Sequence, residues 1–272
     1  MTAAAAAILV EQKETALRGI ALLETARASS ANEIERLNIS LAILTGYITL
    51  DDFEKELVIS RELAKQYPES ARAFYAATYS LRALGRFPEA AQLAQERLQR
   101  IPGDADAMRS FAAIAASQES YTAARAFGQQ LADEGDAEPG DLNGIAWNSL
   151  FTGKVESSDL EAALKGAQLS NKSTSILHTL GCVYAELGKA KEAREVLTEA
   201  MDKLDLDEPD DNYWYAFGRI AEQYGERDIA LADYAKVTKP KRQISIPGSS
   251  YRLAQLRIAA IGTQTPSQTI QK

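Results

Sequence analysis

The stretch LHTLGCVYAELGKAKEAREVLTEA, residues 177–200, decides the fold. Leu177, Leu180, Gly181 and Tyr184 fall three or four apart, which is the spacing of one face of an α-helix. Gly188 then interrupts, and Ala193, Leu197 and Ala200 resume the same period. Helix, turn and helix is the unit this predicts. The small residues Gly181 and Ala193 let two antiparallel helices approach, while the large residues fill the space between neighbouring pairs.

Working outward, the same order returns downstream as Trp214, Phe217, Gly218, Ala221, Gly225, Ala230, Tyr234 and Val237. Upstream it is Phe74, Ala77, Thr78, Leu81, Gly85, Ala90 and Ala94, lying between Pro68 and Pro102, which stand 34 residues apart. A fixed period of this size marks a repeat solenoid, in which each unit buries its apolar face only by stacking on the next. Weaker copies fill the remainder. Met108, Phe111, Ala112, Ala115 and Ala124 keep the spacing, with Glu119 at the usual turn glycine and Gly128 at a usual large site. Leu142, Ile145, Ala146 and Gly153 open another unit, followed by a small insertion over residues 154–159. Ile43, Leu44, Tyr47 and Leu63 form a degenerate first unit, with Glu56 where a small residue belongs.

These motifs resemble the tetratricopeptide repeat family, whose pattern runs large residue, Leu-Gly, Tyr, then Ala, aromatic, Ala and a closing Pro. The resemblance covers most of the chain and implies an all-α, right-handed superhelical solenoid of antiparallel helix pairs. We expect one solenoid over residues 1–261: a lone helix at 3–29, six pairs at about 31–67, 71–101, 105–135, 139–170, 174–206 and 211–238, and a capping helix at 249–261. Residues 239–250, with Pro240, Pro247 and Gly248, read as a connecting loop, and 262–272 as a disordered tail.

Composition agrees with this reading and narrows the function. A chain of 272 residues with 46% hydrophobic content has ample core, leaning on alanine and poor in the alternation a sheet requires. A net charge of −8 and a pI near 5.0, with basic residues scattered, argue against nucleic acid as a partner. No stretch approaches the roughly 18 uncharged apolar residues of a membrane span, so no membrane partner is expected. The lone Cys182 permits no internal disulfide and no multi-cysteine zinc site, and glycine-rich phosphate loops and hydrolase motifs are missing. We expect no cofactor, no metal and no catalytic residue.

His178 and Cys182, four apart on one helix face, are the one pair with catalytic residue types and carry the alternative of an enzyme; they lack an oxyanion site and further ligands, so groove-lining polar residues are the expected reading. The acidic run from Asp202 to Asp211 reads as a solvated loop, because it lacks the alternating ligands and glycine of a calcium loop.

In the resembled family the first helix of each pair lines the ligand groove. Carried over by register, the groove residues are Tyr75 and Tyr79, Arg109, Asn143 and Trp147, His178 beside Cys182, and Tyr215 and Arg219, with Arg72 and Arg82 flanking the first pair. Aromatic and arginine side chains of this kind anchor interfaces, which points to a protein or peptide ligand carrying carboxylates or aromatics. Tyr75 and Tyr79 stand where one family subgroup places a lysine and an asparagine to clamp a C-terminal carboxylate, so that mode is disfavoured. The expected function is a non-catalytic binding scaffold, with self-association possible through end helices or grooves. Residues 178–260 also resemble the repeat tail of bacterial transglutaminase-like proteins, which implies an accessory module of a larger enzyme as the alternative. On that alternative the parent is exported; as a full-length chain the protein is cytoplasmic.

Overall fold

The computed structural model describes residues 2–263, which contain 15 α-helices, one short 3-10 turn at Gln243–Ser245 and no strand. The fold is an all-α repeat solenoid. By its internal packing the chain divides into two compact units, with the boundary between Ser110 and Phe111, and each is described separately.

The first unit holds α1 (Ala3–Leu9), α2 (Ala16–Ser29), α3 (Glu33–Thr49), α4 (Phe53–Gln66), α5 (Ala71–Ala83), α6 (Phe87–Arg100) and the start of α7 (Ala105–Ser117). Side chains that prefer extended backbone stop and start these helices. Asn32, Asp52 and Ser70 each accept a hydrogen bond from the backbone N–H three residues on, satisfying donors that a helix N-terminus leaves free. Leu41, Leu44 and Leu63 from one pair meet Ala73 and Ala76 from the next, which is the stacking a solenoid requires.

The expected single helix over residues 3–29 is instead two helices, broken at residues 10–15. Packing explains the break. Ala6 and Val10 turn back onto α2, and Val10 Cγ1 would lie 2.7 Å from a Cβ at Gly19, so the glycine admits α1. Thr15 Oγ1 donates to the Leu9 carbonyl at 2.6 Å, satisfying an acceptor at the end of α1.

The second unit holds the rest of α7, then α8 (Tyr121–Glu134), α9 (Pro139–Ser149), α10 (Ser157–Leu169), α11 (Thr174–Glu186), α12 (Ala190–Lys203), α13 (Asp211–Gln223), α14 (Arg227–Lys236) and α15 (Ser250–Thr263). Close approach is set by glycine. A Cβ at Gly181 would come within 2.5 Å of Leu197, and one at Gly218 within 2.5 Å of the Tyr234 ring, so each pair packs backbone against side chain. Glu119 shows what the missing turn glycine costs. It adopts φ +57°, the left-handed region that Gly85, Gly188 and Gly225 occupy at the equivalent turns, at roughly 1 kcal/mol for a residue with a Cβ. Asp51 does the same at the turn of the first pair, with φ +58°.

The last helix runs from Ser250 to Thr263, two residues past its expected end, so Gly262 and Thr263 belong to α15 and not to a tail. The rest of the expected tail lies outside the described residues. Leu253, Ala254 and Ile261 are buried, and α15 packs against α13 and α14.

Candidate functional site

The first unit's site is built on α5. Phe74, Ala77 and Leu81 face inward and are buried, while Arg72, Tyr75, Tyr79 and Arg82 follow at intervals of three, four and three. At about 100° per residue these four fall within a stripe about 80° wide. The Tyr75 ring is 58% exposed and stacks on Tyr79, with centroids 6.1 Å apart and planes at 22°. Phe53 meets Tyr79 edge-on at 5.9 Å, fixing its inner side. Beside this stripe lies an open cavity of 330 Å³, walled by Leu41, Leu44, Thr45 and Ile48 of α3 and by Arg72, Tyr75 and Tyr79 of α5.

The arginines of this unit divide sharply. Arg97, buried, donates two hydrogen bonds to Asp104 at 2.8 and 3.0 Å, reaches Asp106 at 3.2 Å and sits 4.8 Å over the Phe74 ring. Arg109 pairs with the same Asp106 at 3.3 Å, so its charge is already engaged. Arg72 and Arg82 make no ion pair and no hydrogen bond with any described residue. Arg82 lies with its guanidinium carbon 5.6 Å from the Tyr79 ring centre, and its Nε is buried without a partner. Burial pushes its pKa down, and the only charges opposing that come from Tyr75 and Tyr79.

In the second unit the corresponding side chains are engaged by the chain itself. Trp147 donates its indole N–H to the Gly248 carbonyl at 2.9 Å, and the Tyr121 hydroxyl donates to the Pro247 carbonyl at 2.5 Å. The segment read from sequence as a simple connector therefore runs over the groove-side face of α9. Together with α9, α11 and the start of α13 it borders an open cavity of 530 Å³ to which Asn143, Trp147, His178 and Tyr213 contribute, and where the buried Asn143 Oδ1 has no partner.

His178 and Cys182 are both buried. The imidazole Nε2 is 3.0 Å from the Asn212 carbonyl and 3.6 Å from Cys182 Sγ, so the tautomer that fits carries its proton on Nε2 and donates to that carbonyl. Burial lowers the imidazole pKa and pushes the thiol pKa well up. Both groups are therefore neutral near pH 7, the reverse of an activated thiolate and imidazolium.

Tyr215 and Arg219 are not groove surface at all: they are 1% and 7% exposed. The Tyr215 hydroxyl donates to Glu186 at 2.6 Å. Arg219 grips both oxygens of Glu186, at 2.7 and 2.9 Å, and donates to Glu222 at 2.6 Å. Arg257 of α15 completes the cluster on Glu222 at 2.6 and 3.0 Å, and the Tyr234 hydroxyl also donates to it. Further along α15, the Ile261 carbonyl accepts from Arg227 at 2.7 Å, and near its start Arg252 pairs with Glu119 at 2.8 Å. Asp210, in the acidic run, caps a helix, since its carboxylate accepts from the N–H groups of Asn212 and Tyr213 at the start of α13.

In the sequence the α5 stripe is visible on one face, but the α3 wall opposite it is not. The Pro247 and Gly248 carbonyls, as occupants of the second unit, are equally hidden, because backbone acceptors carry no side-chain signature.

No protein-family profile matches the sequence, and no curated protein matches it. Solved structures do. A tetratricopeptide repeat protein from Parabacteroides merdae aligns with a TM-score of 0.57 at 13% identity, covering 89% of this chain and 93% of that one. A chain of the APC/C hetero-tetramer Cut9-Hcn1 aligns with a TM-score of 0.58 at 14% identity, covering 93% of this chain and 48% of that one. Pseudomonas aeruginosa pilF aligns with a TM-score of 0.54 at 17% identity, covering 81% and 97%. Likeness at such identities establishes the fold, that of tetratricopeptide-repeat proteins, and nothing narrower.

Proposed function

We propose that this chain, which has the tetratricopeptide-repeat fold, is a non-catalytic scaffold that holds a protein or peptide in the groove between α3 and α5. The observation that carries this reading is the open 330 Å³ cavity with the exposed Tyr75 ring on its wall. An apolar wall from Leu41, Leu44 and Ile48 faces a ladder of two tyrosines, a surface that offers large area together with hydroxyl groups for directional contacts. The second unit supports the reading by showing the recognition chemistry in use on its own chain: Tyr121 and Trp147 hold backbone carbonyls of an irregular segment through single hydrogen bonds.

The test is photo-crosslinking with a benzoylphenylalanine introduced at Tyr75 in cells of the source, with a second probe at exposed Ile229 as control. We expect discrete crosslinked partners from position 75 that disappear when Arg72→Ala is added, and none in common from position 229. The same bands from both positions would refute groove binding.

A further inference from the structure

We propose that the α5 stripe is a carboxylate-recognising subsite, with Arg82 and Arg72 as its cations and Tyr75 and Tyr79 as its walls, and that its occupant is an acidic segment of a partner protein. This rests on the groove reading above and names the chemistry of its ligand.

The arginines of the chain differ in their counter-charges. Arg97 and Arg109 in the first unit and Arg125, Arg219, Arg252 and Arg257 in the second all have a carboxylate within 3.5 Å. Arg82 has none among the described residues, although it is half-buried and its Nε is sealed from solvent. A guanidinium that has lost water and gained no counter-charge destabilises the fold that holds it, and a partner's carboxylate would relieve that cost on binding. Pre-orientation supports the same conclusion. The stacked tyrosines fix the guanidinium over the Tyr79 face, leaving the remaining N–H donors of its fork for a two-point contact with a carboxylate. Arg72, exposed on the cavity wall, adds a second positive charge along the stripe without a carboxylate of its own. The one acidic residue lining the cavity, Asp106, is committed to Arg97 and Arg109. In a chain of net charge −8, this leaves a positive stripe on an apolar groove, complementary to an acidic segment with apolar or aromatic neighbours.

The experiment pans a phage library of random 12-residue peptides on the full chain. It then measures the most enriched peptide, fluorescently labelled, by anisotropy against wild type, Arg82→Met, Arg82→Lys, Arg72→Gln and Tyr75→Ala. Expected results are enrichment of Asp and Glu beside apolar residues, weakening of about tenfold or more with Arg82→Met, partial retention with Arg82→Lys, and similar weakening when the peptide's acidic residues become amides. Arg82→Met should melt at or above the wild-type temperature, because it removes an unpaired charge. A lower melting temperature would make Arg82 a structural residue and overturn the proposal. Enrichment without acidic residues, or binding within twofold of wild type for Arg82→Met, overturns the carboxylate subsite alone if Tyr75→Ala still abolishes binding. Failure to retain any peptide overturns both the subsite and the groove reading. A dimer of the chain in sedimentation equilibrium that Arg82→Met dissolves puts a second copy in the groove and overturns a foreign partner.

Discussion

Arg219 of the second unit and Arg82 of the first both come from groove-forming helices, yet their surroundings are opposite. Arg219 is buried between Glu186 and Glu222, and Arg257 of α15 closes over the same Glu222. Arg82 rests on a tyrosine ring with no carboxylate paired to it among the described residues. The difference lies in the carboxylates within reach: Glu186 of α11 and Glu222 of α13 for Arg219, and none among the described residues for Arg82. In the second unit Trp147 of α9 holds the Gly248 carbonyl, and Arg257 of α15 reaches Glu222 of α13, the carboxylate that Arg219 also pairs with. Among the described residues the first unit has no segment held in this way, and Arg72, Arg82 and the Tyr75 face remain available. One chain thus contains a groove bordered by its own irregular segment and a groove walled by helices alone.

The sharpest way to break this comparison is to remove the arginine charge from each unit. Arg219→Met leaves the half-buried Glu186 without a cation, while Arg257 still serves Glu222; breaking a buried pair costs roughly 3–5 kcal/mol, and the lower end is expected here. Arg82→Met should cost nothing. Both tryptophans, Trp147 and Trp214, lie in the second unit, so tryptophan fluorescence during thermal unfolding follows that unit alone while circular dichroism follows both. An early fluorescence transition in Arg219→Met with a preserved later helical transition is the expected result. Equal destabilisation by the two substitutions would erase the distinction between the grooves.

A smaller effect tests the segment itself. Trp147→Phe keeps an aromatic ring but removes the N–H that holds the Gly248 carbonyl, a loss of about 1 kcal/mol. Amide hydrogen exchange over residues 240–249 should speed up while exchange in the core of α11 stays unchanged. Tyr75→Phe, the corresponding change in the groove of the first unit, removes a hydroxyl that holds no internal segment and should leave exchange throughout that unit as it was. If residues 240–249 exchange no faster in Trp147→Phe, the indole does not anchor the segment.

Much of the architecture is legible in residues 177–200 and their copies, because helix pairing in a solenoid is a local property: a 3.6-residue period, a turn glycine and a small residue at the crossing lie within one unit of sequence. Gly188 and Gly225 do adopt the left-handed backbone that their positions imply. Features that depend on contacts distant in sequence leave no such mark. The break between α1 and α2 comes from Val10 meeting Gly19, which the helix-compatible alanines of residues 3–7 conceal. Arg219 and Tyr215 have a groove register, but Glu186, some 30 residues earlier, bends both inward. For Arg82 the decisive fact is a missing partner, and an unpaired charge is visible only once every neighbour is in place.

The smallest expected effect separates the units by alkaline pH. In the second unit burial pushes the Tyr121 and Tyr213 phenols up to about 12 and raises Tyr184, Tyr215 and Tyr234 as well; in the first unit Tyr47 is the tyrosine raised by burial. A group whose folded pKa lies above its unfolded value holds its proton more tightly when folded, so the stability it contributes is complete below the unfolded pKa of about 10 and drains as pH rises toward the folded value. At pH 10 the loss is a few tenths of a kcal/mol per tyrosine, which accumulates in the second unit and hardly touches the first. Melting followed by tryptophan fluorescence should therefore shift to lower temperature between pH 8 and pH 10, ahead of the part of the helical signal that belongs to residues before Phe111. Replacing Tyr121 by Phe removes one titrating group together with its bond to the Pro247 carbonyl, so that variant should start less stable at pH 8 and lose less on going to pH 10. A pH dependence identical in the two probes would mean that the buried phenols of the second unit do not set its alkaline stability.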